Sequence, residues 1–131
     1  MAAIQEGLVL YYVHDDKKVQ MEALCLKLNL RAKQLKTADL NERAGVLAEI
    51  KGLKMTQVSQ NEKAPMLFQM PEILIFSGIP EKKLDEFLME YRKLGLENIK
   101  LKAVLTPHNV RWTLYQLLQE LMLESLKFNN R

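Results

Sequence analysis

The chain holds a single cysteine, Cys25. It can form no intramolecular disulfide, and a reducing compartment is the natural reading. No apolar run approaches the roughly 18 residues of a membrane span, so no membrane contact is expected. Met1 to Leu10 carries no basic start followed by an apolar run, so no signal peptide is expected there and the cytoplasm is the expected location. Glycine is scarce, at five residues, and no Walker-type or dinucleotide fingerprint can be assembled from it. No nucleophile-elbow pattern is present either. Histidine occurs only at His14 and His108, with no second His at helical spacing, so no metal site and no cofactor are expected. Charge of one sign is also missing. The 19 basic and 16 acidic residues are interspersed and leave a net charge of +3. That describes a solvated surface and disfavours nucleic acid as a partner, even at a pI near 9.0.

What is present suits one domain. A chain of 131 residues buries roughly two-thirds of the surface it exposes when unfolded, so it needs no disulfide or metal staple. Leu8 to Val13 reads as a strand buried on both faces. Lys17 to Leu28 reads as a helix with Val19, Ala23, Leu24, Cys25 and Leu28 on or near one face. Leu30 to Leu35 is a weaker strand. Asp39 and Glu42 have capping-box spacing before a helix carrying Leu40, Ala44, Leu47 and Ile50, which Gly52 ends. Residues 54–71 lose periodicity and form a polar connection with Pro at both 65 and 71. Within it, Met66, Leu67 and Phe68 are expected to reach the core.

The second half is clearer. Glu72 to Phe76 is a strand closed by Ser77-Gly78, and Pro80 suits the first turn of a helix. Leu84, Phe87, Leu88 and Tyr91 form the strongest helical stripe in the chain. Ile99, Leu101, Ala103 and Leu105 alternate with more polar residues as a strand. Thr113 and Gln116 form a capping box before a helix with Leu114, Leu117, Leu118 and Leu121, and the tail from Lys127 is polar. The expected architecture is therefore a single α/β layered domain. Two βαβα halves (residues 1–53 and 72–127) share a mostly parallel four-stranded sheet flanked by helices. The halves match in pattern better than in identity, which fits a duplication.

In a parallel sheet all strands end on one edge, where ligands bind. That edge would gather His14 and Asp15, Thr37 to Asp39, Ser77 and Gly78, and Thr106, His108, Asn109, Arg111 and Trp112. The inference requires that no strand run antiparallel. His14 beside two aspartates can act as a metal ligand or an oriented base, although Asp15 and Asp16 more often cap or open a helix. Ser77-Gly78 can present backbone donors to an anion or form an ordinary turn. Asn109 suits the satisfaction of turn backbone groups. Arg111 can grip an anion or lie over Trp112. Trp112 stands where a hydrophobic staple would stand, and Cys25 is expected to be buried.

Ile73-Leu74-Ile75-Phe76-Ser77-Gly78, Leu84-Asp85-Glu86-Phe87-Leu88, Leu101-Lys102-Ala103-Val104-Leu105-Thr106-Pro107, Asn109, Trp112-Thr113-Leu114 and Leu117-Leu118 carry a resemblance. Over roughly Glu72 to Leu121 the chain resembles the bacterial family known as domain of unknown function 3783. The first half resembles the extension of longer members. The resemblance implies a bacterial cytoplasmic protein with a compact α/β domain and implies no reaction. Ser77, Gly78, Thr106, Pro107, Asn109 and Trp112 match its motif, and His108 does not carry over.

Two functional classes follow. The leading one is a non-catalytic binding or regulatory module that engages a small molecule or a protein. The alternative is an enzyme or group carrier that binds a small anionic ligand at the carboxyl ends of the strands. A homo-oligomer built through a sheet edge or the Met-Leu-Phe segment is a further possibility.

Overall fold

The computed structural model describes residues 7–129. Residues 1–6 of the stretch read for a signal peptide, and the end of the polar tail, lie outside the described residues. Leu8–Tyr12 (β1) and Ile73–Ser77 (β3) pair at the centre of a four-stranded sheet. Both strands have the β-branched and aromatic content that favours extended chain. Val9, Leu10, Ile73, Leu74 and Ile75 are wholly inaccessible. Burial of each such side chain contributes roughly 1.5–3 kcal/mol. Arg31–Gln34 (β2) flanks β1 and Leu101–Val104 (β4) flanks β3, so the order is β2-β1-β3-β4.

β1 and β2 are parallel, as are β3 and β4. The central pair is antiparallel, with Leu8 opposite Ser77 and Tyr12 opposite Ile73. The sheet is thus two parallel pairs joined head to tail, which corrects the expectation that all four strands end on one edge. The first residue of each central strand faces the last residue of the other, so the two halves meet about a local two-fold axis.

Helices cover both faces. Asp15–Lys27 (α1) and Glu81–Lys93 (α3) lie on one, over Val9, Tyr11, Leu74 and Phe76. On the other, over Leu8, Leu10, Ile73 and Ile75, lie a 3-10 turn at Thr37–Asn41, the short helix Ala44–Leu47 (α2) and Leu114–Asn129 (α4). α1 turns Lys17, Met21, Leu24, Cys25 and Leu28 inward, while Val19 is 76% exposed and Ala23 is exposed. This differs from the face read from the sequence because α1 is apolar on its outer side as well.

The expected helix after Asp39 is broken into the 3-10 turn and α2. Its end comes at Ala48, because Glu49 and Gly52 adopt left-handed backbone. Pro80 stands just before α3, as its N-cap, instead of inside it. Ile99 precedes β4 and packs on the α1/α3 face, opposite to Leu101. In the connection, Phe68 reaches the core and meets Tyr115 edge-on at 5.0 Å. Met66 and Leu67 remain 99% and 90% exposed, contrary to expectation. No described helix is long and apolar enough to cross a membrane.

Candidate functional site

The antiparallel centre divides the expected site. β1 and β2 deliver His14, Asp15 and Thr37 to one edge, and β3 and β4 deliver Ser77, Gly78 and Thr106 to the other. Five strand residues at about 3.3 Å each put roughly 15 Å between the two groups. His14 and Thr106 therefore share no mouth. The same-edge convergence is overturned by the strand pairing itself.

At the first edge His14 is the N-cap of α1, and Asp15 and Asp16 occupy its first turn, where carboxylates suit the helix dipole. The Glu72 carboxylate accepts the His14 backbone N–H at 2.8 Å and the Lys17 ammonium at 2.8 Å. Lys17 is only 3% exposed. Burial alone would lower the ammonium pKa, but the bond to Glu72 and its charge outweigh that and the net shift is upward. Burial likewise pushes Glu72 up, and the Lys17 and His14 donors more than reverse it, so the carboxyl sits below its usual range. The imidazole Nε2 stands 3.7 Å from Glu72, beyond a hydrogen bond. A cavity of about 450 Å3 adjoins this group, lined by Tyr12, His14, Asp15, Gln34, Met70 and Glu72 among others. The sequence reading missed Lys17, although it shares the buried stripe of Met21, Leu24 and Leu28. It also missed Glu72, which no local pattern marks.

At the second edge the polar residues bond to one another. Thr106 N–H donates to Asn109 Oδ1 at 2.9 Å, and Asn109 N–H donates to Thr106 Oγ1 at 3.2 Å. Asn109 Nδ2 donates to Val104 O at 3.2 Å and so closes part of the outer edge of β4. Gly78 takes a left-handed turn at φ 67° and leads to an acidic first turn at Glu81. That arrangement serves a turn and opposes an anion.

The local two-fold provides an internal control. Arg43 and Thr113 bridge antiparallel, with Ala44 N–H bonded to Trp112 O and Leu114 N–H bonded to Glu42 O. The segments leaving β2 and β4 thereby correspond residue by residue. Leu40 matches Val110, Ala44 matches Leu114, and Leu47 matches Leu117; all six are buried. Asp39 matches Asn109, and its carboxylate accepts the Lys36 N–H as Asn109 accepts that of Thr106. The fold asks for this turn bond in both halves. His108 and Trp112 have no like counterpart, since Ala38 and Glu42 stand at the matching positions, and Trp112 packs against the core on its own side. His108 packs edge-to-face against the indole at 5.3 Å. Trp112 is half-buried and forms one end of a groove of about 390 Å3 that continues along α4 over Gln116, Gln119, Glu120 and Leu123. Arg111 is exposed, and its guanidinium makes no bond among the described residues.

With that geometry established, residues 72–128 match the family model described as Domain of unknown function (DUF3783). That segment, somewhat less than half of the chain, is similar to this family. No curated protein and no solved structure matches the chain. The DUF3783 segment spans β3, α3, β4 and nearly all of α4, so it contributes one of the two parallel pairs and relies on residues before it for the other.

A second polar cluster ties the DUF3783-like segment to the rest, and no local pattern of residues marks it. Arg43 is 4% exposed. Its guanidinium donates to Glu62 at 3.0 Å, to Arg111 O at 2.8 Å and to Thr56 O at 3.0 Å. Thr113 Oγ1 donates to Glu62 O at 2.7 Å. The Arg43 bond, followed by the Ser59 N–H and hydroxyl, holds the Glu62 carboxyl at about 2. Thr113 also caps α4 reciprocally with Gln116, as its spacing predicts. Cys25 is buried, and desolvation followed by the Glu22 charge pushes its thiol up to about 12. Among the described residues no group of three His, Cys, Asp or Glu is arranged to hold a metal.

Proposed function

We propose that this chain is a non-catalytic, cytoplasmic bacterial binding module that engages a protein partner along the Trp112 groove. The observation that carries the proposal is the departure from two-fold correspondence. The turn bonds and buried apolar positions recur in both halves, whereas the partly buried Trp112 and the adjoining His108 occur in one. Trp112 packs one side on the α4 core and leaves the rest of its indole at the groove, and a partly exposed large aromatic suits recognition. The acid-base reading gains no comparable support. Glu72 is already engaged by Lys17 and the His14 backbone, and the His14 imidazole is not bonded to it.

The alternative, an enzyme or carrier binding a small anion at the carboxyl ends of the strands, requires the four strand-end loops to converge. They lie on two edges. The cavity beside His14 remains the place where it would act, and Asp15 and Glu72 there oppose an anion.

Comparative capture tests the proposal. Tagged protein and a Trp112→Ala variant of equal thermal midpoint are used to retain partners. Partners held by the native chain and released by the variant support the reading. An identical partner set for both removes the groove from consideration.

A further inference from the structure

The groove has a definite chemical preference that deepens the proposed reading and rests on it. Two of its lining side chains are already engaged. Gln116 Oε1 accepts the Thr113 N–H at 2.9 Å as part of the helix cap. Gln119 Nε2 donates to Tyr115 Oη at 3.0 Å. Beside the free ends of these two amides, the Trp112 indole, the Glu120 carboxylate and the Leu123 side chain, which is 54% exposed, are left to meet a ligand. Among the described residues Glu120 is the one charged side chain lining the groove, and it makes no hydrogen bond or ion pair.

We propose that the groove receives a basic residue followed by an apolar one from an extended segment of a partner protein. The cation lies against the Trp112 indole with Glu120 as its counter-charge, and the apolar side chain covers Leu123. Physical chemistry selects this pairing. Tryptophan offers the strongest aromatic face to a cation, and guanidinium stacks on it more readily than ammonium. An anion would meet Glu120 and gain nothing from the indole face. A groove of about 390 Å3 accommodates a pair of side chains and is too small for a folded domain. His108, packed against the indole, holds the ring in place, which reduces the ordering cost of binding.

The single tryptophan makes the test direct, because the protein has one indole N–H resonance and it belongs to the groove. The full chain, labelled with nitrogen-15, is titrated with the capped dipeptides acetyl-Arg-Leu-amide, acetyl-Leu-Leu-amide and acetyl-Glu-Leu-amide. A saturable indole shift with the Arg dipeptide is expected, with much weaker responses to the other two. Glu120→Gln should weaken the Arg dipeptide by up to about five-fold, the range of an exposed ion pair, and leave the indole resonance in place. Equal shifts with Arg and Glu dipeptides, or an unchanged affinity in Glu120→Gln, overturn the basic preference while leaving a peptide groove. Silence of the indole resonance with all three overturns the preference as well. The broader reading falls only if Trp112→Ala also retains every captured partner.

Discussion

Asp39 and Asn109 make the same bond in the two halves of the chain. Each side chain accepts the backbone N–H three residues earlier, from Lys36 at 2.8 Å and from Thr106 at 2.9 Å. The shared geometry marks Asn109 as a residue of the turn, and its effect should appear in stability. Asn109→Ala is expected to cost about 1 kcal/mol in urea unfolding, with the capture of partners unchanged. Loss of partners at unchanged stability would contradict this assignment.

Arg43 and Glu62 should matter more. Arg43 is buried and serves Glu62, Thr56 and the Arg111 carbonyl at once, so Arg43→Ala is expected to cost about 3 kcal/mol. A variant within 1 kcal/mol of the native chain would show that the cluster does not hold the connection in place.

The same pair sets an acid dependence. Glu62 has its folded value lowered from 4.5 to about 2. Its contribution is therefore complete above pH 4.5 and is lost as pH falls toward 2. Denaturation midpoints of the native chain and Glu62→Gln should differ by a constant amount from pH 7 to about 5 and converge below. A difference independent of pH would exclude this linkage.

Cys25 should resist alkylation in the folded protein. A thiol raised from 9.0 to about 12 has roughly a thousand-fold less thiolate at pH 8, and burial blocks the reagent as well. Rapid labelling by iodoacetamide without denaturant would refute the buried placement.

Gly7 lies beneath Ile79, at the edge opposite His14. A Cβ on Gly7 would stand 2.5 Å from Ile79 Cγ1 and 2.8 Å from Leu30 Cδ2. Gly7→Ala is expected to destabilise by about 1–3 kcal/mol, and by less in an Ile79→Ala background, where the room exists. Strict additivity of the two changes would argue against the contact.

Much of this molecule was legible from local pattern. β1 and β3 announce themselves through apolar runs, α3 through Leu84, Phe87, Leu88 and Tyr91, and the start of α4 through Thr113 and Gln116. These features depend on residues within a few positions of one another, where side-chain period and backbone capping act directly. The motif around Thr106 to Trp112 was likewise visible, and so was the likeness between halves.

What the sequence could not supply was orientation. Whether β1 meets β3 parallel or antiparallel depends on how two distant, doubly buried strands dock, and no local residue encodes that choice. Docking head to tail sent His14 and Thr106 to opposite edges and brought Arg43 against Thr113. It paired Lys17 with Glu72 across 55 residues and placed Glu62 beneath Arg43 across 19. The sequence determined the elements, because they follow from short-range chemistry. The tertiary structure decided which polar groups met, because that follows from the burial of both faces of a sheet around a two-fold axis.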